Sequence, residues 1–302
     1  MIDRLLDLAA VAAADVPDSA RTMARLSLFD WLVCGLAGAD EPVAGIVRDY
    51  ARSEGGHPVA AVFGGGPVPA RAAALVNGTI SHALDCDGLM GAQGFVPTHS
   101  DAPTLAGIRD LPPPQTFVFG AVKYKLHACC HGTHAMIEAL AVIKHSHNLT
   151  IERVAAINLR TSPRWLSVCD IKAPRTGLAI KLSYNWLAGM VLSGMSTSRD
   201  GSYSDGSAQD GALAAFAARV TVSGADEVGD MQAVGEVVLS DGNRLDFAHD
   251  LAARLPVAML ERSLMAKAKG LLGAARADRL WSAVAGLVGV SARELGRMVA
   301  AS

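Results

Sequence analysis

The sequence predicts a mostly α protein with a second, α+β domain, and three observations carry that expectation. Alanine is abundant while aromatic residues make up only 5% of the chain, which favours close-packed helices over aromatic-rich strands. Apolar residues recur at helical spacing over residues 18–36, 43–53, 69–85 and 256–300. β-Branched, alternating segments gather at residues 151–159, 217–222, 233–239 and 244–247, the last two joined by the turn S-D-G-N. Strands without regular helical crossovers read as α+β.

At 302 residues the chain is long enough for one large domain or two ordinary ones. It is 51% hydrophobic and 19% charged, with a formal net charge of -2 and no Lys/Arg block. Nucleic acid and anionic membranes are therefore not expected partners. The longest apolar run, near residues 26–38, is interrupted by Asp30 and falls short of a membrane span. The first residues carry acids and no basic region with a cleavage site, so no secretory signal is expected. Five cysteines without regular spacing suit reduced thiols and a cytoplasmic location.

In chain order, residues 2–14 read as an amphipathic helix with Ile2, Leu5, Leu6, Leu8 and Ala9 as its stripe. Pro17 stops it, and Asp18 or Ser19 caps the next helix, whose face holds Ala20, Met23, Leu26, Asp30, Trp31 and Cys34. Asp30 is out of keeping there. A third helix ends at Gly55 and Gly56. Residues 59–63, between Pro58 and a glycine triplet, form a short strand or arm; the triplet lacks the lysine and spacing of a phosphate loop. Pro69 starts a helix reaching residue 85, and Pro112, Pro113 and Pro114 form a stiff linker. Later helices are expected at 132–144, 177–192, 256–270, 275–287 and 291–300.

Two stretches concentrate chemistry. The first is A-A-L-V-N-G-T-I-S-H-A-L-D-C-D-G, followed by P-T-H-S-D-A-P-T, and it holds His82, Asp85, Asp87 and His99. On a helix His82 and Asp85 share a face, where a carboxylate fixes an imidazole's tautomer and raises its basicity. The plainer reading makes Asp85 and Asp87 helix caps and His82 a half-buried core residue. The second stretch, K-L-H-A-C-C-H-G-T-H, begins at Lys125. Its pairs Cys130/His134 and His127/His131 have metal-ligand spacing, and Cys129 or Cys130 near histidines has the setting of a nucleophile. Adjacent cysteines, Gly132 and the lack of a second ligand group weigh against zinc, and no metal or other cofactor is expected.

Together these blocks resemble the MmgE/PrpD family, which includes 2-methylcitrate dehydratase, cis-aconitate decarboxylase and iminodisuccinate epimerase. V-N-G-T leading to H-A-L-D-C-D and T-H-S is similar to the family signature, and the lysine, cysteine and T-H block matches a second. The resemblance implies an all-helical domain built from N- and C-terminal parts with a smaller α+β domain inserted. The boundaries expected are residues 1–112, 115–250 and 251–302.

The activity implied is a lyase of dehydratase type, or an epimerase, that abstracts a proton beside a carboxylate of a small di- or tricarboxylic acid. A non-catalytic relative that dimerises or binds a carboxylate is the alternative. His99, Asp85, Lys125 and His82 take the catalytic positions, and His134, Lys181, Ser183 and Tyr184 the substrate-binding ones. A cleft between the two domains would bring these together. The pattern also departs from the family at Gly88, Leu89 and Ser100, and a central helical segment that supplies a further histidine and lysine is missing. A helical domain so shortened leaves apolar faces uncovered, which points to a homodimer.

Overall fold

The computed structural model describes residues 6, 10–86 and 122–300, so most of the expected helix at 2–14, together with Asp87 and His99, lies outside the described residues. The chain divides into two units, one formed by Met1–Tyr124 with Leu264–Ser302 and the other by Lys125–Ser263. Twelve α-helices and two sheets are present among the described residues, a mostly α protein with an α+β part.

In the first unit, α1 (Asp18–Gly38) begins with Asp18 inside the helix and Pro17 at the cap, not with Asp18 or Ser19 as cap. Its second half is buried at Phe29, Asp30, Leu32, Val33, Cys34 and Leu36. Helix α2 (Pro42–Ser53) follows, then the antiparallel hairpin of β1 (Ala60–Val62) and β2 (Gly65–Val68), then α3 (Ala70–His82). Asn77, the asparagine of V-N-G-T, accepts from the Phe63 amide at 3.0 Å and donates to the Ala61 carbonyl at 3.0 Å. It braces the hairpin on α3, a structural use for a motif residue.

Phe63 is fully buried and fills the space over Gly35, where an added Cβ would stand 2.2 Å from its ring. Burying a side chain of this size stabilises by roughly 1.5–3 kcal/mol. The same ring packs edge-on against Trp31 at 5.0 Å, and Phe29 does so against Trp281 at 5.1 Å.

The second unit opens on an irregular segment that turns through His131–Thr133 into α4 (His134–Ser146). Next come β3 (Val154–Thr161), α5 (Pro163–Cys169), α6 (Gly177–Ile180), α7 (Tyr184–Ser193), α8 (Asp205–Ala208) and α9 (Gly211–Ala217). The remaining strands are β4 (Val220–Gly224), β5 (Gln232–Leu239) and β6 (Arg244–Asp250), in the sheet order β4-β3-β5-β6. Strands β3 and β4 are parallel and the other pairs antiparallel, so helices α5 to α9 form one crossover within a mixed sheet. That crossover was not expected from the strand pattern.

Helix α7 is buried from Tyr184 to Leu192 and packs on α4 and α9. Asn185 donates to the carbonyls of Ala217 and Val220 at 2.9 and 2.7 Å, tying α7 to the start of β4. Its C-terminus closes on Gly194 in the left-handed region (φ 81), with the Met195 amide bonded to the Met190 carbonyl. The chain ends in α10 (Val257–Leu272), α11 (Ala274–Ala285) and α12 (Ala292–Val299), the last opened by a capping box of Ser291 and Glu294.

Two helix expectations need correction. The helix expected over 69–85 stops at His82, and Asp85 lies beyond it at φ 52. His82 and Asp85 therefore do not face each other on a helix; the Asp85 amide instead bonds back to the His82 carbonyl at 2.9 Å. The helix expected over 177–192 is two helices, because the Ser183 hydroxyl accepts from the Trp186 amide and starts a new one.

Candidate active site

The second unit gathers ionisable groups around the start of α4. The segment before it cannot continue as helix, since Cys130, at φ -59 and ψ 135, is extended. Thr133 then closes a tight turn, its hydroxyl donating to the Cys130 carbonyl at 2.7 Å. Gly132 is required inside this turn: an added Cβ would lie 2.5 Å from the Trp165 ring. Tyr184, fully buried, donates its hydroxyl to the Gly132 carbonyl at 2.9 Å and meets the Thr161 hydroxyl at 3.1 Å. The turn is thus fixed from α5 and α7, and it sets the direction of the first residue of α4, His134.

His134 is buried and its Nε2 lies 3.2 Å from the Cys129 carbonyl. A carbonyl only accepts, so Nε2 carries the proton and Nδ1 the lone pair. Burial first, then the charges of His127, His131 and Lys125, hold this imidazole well below the usual histidine range. His127 and His131 stand beside it with ring centroids at 4.9 and 5.2 Å.

His127 is itself held on both nitrogens, Nε2 by Glu138 at 3.0 Å and Nδ1 by the Thr197 hydroxyl at 2.7 Å. The hydrogen bond from His127 keeps the Glu138 carboxyl below its ordinary value. This carboxylate–imidazole pair escaped the sequence reading. Its members stand 11 positions apart, so no helical spacing joins them.

Lys125 is 1% exposed, and its ammonium acts on both His134 and Cys129. Burial pushes the Cys129 thiol up to about 12, so it is a packed thiol and not a poised nucleophile. Lys181 is also buried; its ammonium meets Asp200 at 2.7 Å and lies 5.3 Å from the Tyr203 ring centroid. The Lys181 carbonyl accepts from the Cys130 amide, and Tyr203 donates to the Thr197 carbonyl at 2.7 Å. Lys125, His134 and Lys181 are thus in one framework with His127, Cys129 and Tyr203.

Ser183 and Tyr184 border this framework, but their hydroxyls serve the α7 cap and the Gly132 carbonyl. His82 and Asp85, both half-buried, belong to the first unit at the end of α3. His99 lies outside the described residues. Among the described residues no group of three or more His, Cys, Asp or Glu is arranged to hold a metal ion. All five cysteines are thiols, and no helix of the described residues is long and apolar enough to cross a membrane.

The neutral His134 gives a pH signature. Unfolded, its imidazole titrates near 6.5, and folded it titrates well below that. Above pH 6.5 neither state is protonated and nothing is lost. As pH falls through 6.5 the unfolded chain takes up a proton that the folded state refuses, so stability declines until the folded value is passed. Thermal melts from pH 8 to pH 5 are expected to fall more steeply for the natural chain than for His134→Gln. Glu138 does not confuse this window, because its contribution is lost only below 4.5. Parallel slopes in the two proteins would refute the assignment.

Two family models match the chain. MmgE/PrpD N-terminal domain matches residues 8–108, and MmgE/PrpD C-terminal domain matches residues 127–275. A search of curated proteins gives no match.

Proposed function

The chain belongs to the MmgE/PrpD family, and from that premise we propose that it is a lyase of dehydratase type acting on a small di- or tricarboxylic acid. The observation that carries this reading is the buried set of Lys125, Lys181 and a neutral His134. Removing a proton from the carbon beside a carboxylate builds negative charge on that carboxylate. An ammonium in a site shielded from water stabilises such charge far more than one in bulk water does. Lys125 supplies that positive charge, Lys181 shares its own with Asp200, and His134 offers a lone pair at Nδ1. Family likeness also gives Asp85 and His99 active-site positions, while His82 is a candidate by its place in the signature stretch alone. For a dehydratase, the carbon–oxygen bond of the β-hydroxyl then breaks, and an acid delivers the proton that turns hydroxide into water.

The test is deuterium incorporation in D2O, followed by proton NMR, into 2-methylcitrate, citrate, cis-aconitate and iminodisuccinate. Exchange into one acid that disappears in His99→Ala and Lys125→Ala is the expected result; exchange at a single stereocentre without loss of water indicates an epimerase. A second reading, a carboxylate-binding relative without turnover, draws support from Gly88 and Leu89 at positions where the family pattern has other residues. Folded protein that binds an acid but exchanges none of them would put that reading first.

We also infer a homodimer. Ile46 and Tyr50 on α2 and Leu75 on α3 are 68%, 52% and 53% exposed, apolar side chains that a second copy would cover. Light scattering at micromolar concentration is expected to give twice the chain mass, and a monomer would end the inference.

A further inference from the structure

Buried in the first unit is a charged pair that none of the chemistry above employs. The Lys267 ammonium lies 2.6 Å from the Asp30 carboxylate, and each side chain is 3% exposed. Burial pulls the ammonium's pKa down, but Asp30, with Cys34 and Cys86, outweighs that and keeps it raised. Such a pair is a poor source of stability, because desolvating two charges offsets most of their attraction. Its second contact tells more: Lys267 also donates to the main-chain carbonyl of Cys86. The Cys34 thiol on α1 reaches the same oxygen at 3.4 Å, and the Cys86 thiol meets Cys34 Sγ at 3.4 Å.

Cys86 is therefore held by α1 on one side and α10 on the other, and it is fully buried. Its neighbour Asp85 is half-buried and lies in the left-handed region, at φ 52, where a side chain is rarely placed. A backbone of this kind persists only when its surroundings over-determine it. The two bonds on the Cys86 carbonyl do so, one residue beyond the strained position.

We propose that Lys267, oriented by Asp30, is a positioning residue that fixes the Asp85–Cys86 turn and with it the direction of the Asp85 carboxyl. The consequence for turnover rests on the reading of Asp85 as a residue of the active site; the consequence for the turn does not. The experiment therefore uses two readouts on Lys267→Met, Lys267→Arg and the double variant Asp30→Asn/Lys267→Met. Native protein is treated with iodoacetamide and Cys86 and Cys34 are quantified separately by peptide mass spectrometry. Deuterium exchange into the acid that the natural chain accepts is measured alongside.

Release of the turn is expected to raise the Cys86 alkylation rate at least tenfold in Lys267→Met. Exchange turnover falls by a similar factor while the KM for the acid changes less than threefold, and Lys267→Arg recovers most of both. The double variant buries no lone charge and keeps the test open if Lys267→Met does not fold. Unchanged Cys86 alkylation in a folded variant overturns the proposal, whatever happens to turnover. Faster alkylation with unchanged turnover upholds the fixed turn and removes Asp85 from the active site. Faster alkylation in a chain whose natural form exchanges no acid upholds the fixed turn and removes only the lyase reading.

Discussion

Lys125→Met is expected to cut deuterium exchange by about 10³-fold while the protein remains folded. The size follows from what is removed: one preorganised positive group facing the charge that develops in the transition state is worth ~10²–10³ in rate, and a proton-transfer role would add to that. Methionine keeps the apolar stem and most of the volume, which matters because Lys125 is 1% exposed. The measurement is initial exchange rate over a range of acid concentrations up to saturation, with near-ultraviolet circular dichroism to verify the fold. A loss confined to KM would mean that Lys125 only binds the acid. No loss at all would remove it from the site.

That prediction rests on a residue that stood out in the sequence, and how it stood out explains which features were readable there. Lys125, His127, His131 and His134 are neighbours along the chain, so a local pattern was enough to bring them together. The same holds for the short strand before the glycine triplet and for most helices, whose ends are marked by Pro, Gly and Ser. The end of α3 was not readable. Ala83 and Leu84 are good helix formers, and nothing local stops the helix at His82. What holds the chain past that point is tertiary: Cys86 is fixed by Lys267, a residue 181 positions away.

The pairing of Lys267 with Asp30 spans 237 positions, and only the anomaly of an acid on an apolar helix face hinted at it. The parallel pairing of β3 with β4 was hidden for the same reason, since contacts between distant segments leave no periodic mark on either of them. The break before α7 is a different case. Ser183 was singled out as a substrate residue, although a serine that opens an apolar run is first of all a helix cap.

Gly177→Ala is expected to be the most damaging small substitution in the second unit, lowering stability by about 3 kcal/mol, the upper end for overpacking. An added Cβ would lie 1.9 Å from the Tyr203 carbonyl oxygen and 2.6 Å from its carbon. Both are main-chain atoms, so no side chain can swing away, and α6 must separate from the segment around Tyr203. That segment carries more than packing. The Gly177 amide is bonded to Asp205 at 2.9 Å, the Tyr203 hydroxyl holds the Thr197 carbonyl, and the Tyr203 ring lies over the Lys181 ammonium. Displacing it moves the partners of both Lys181 and His127, so the variant should lose turnover at temperatures where it is still folded. Gly211→Ala is the control: it opens α9, an added Cβ meets nothing within 4 Å, and its effect should stay within about 0.5 kcal/mol. Urea unfolding of the two variants compares them directly. If Gly177→Ala proves as mild as Gly211→Ala, the close approach of α6 to Tyr203 is not a feature of the folded protein, and the support it gives to Lys181 falls with it.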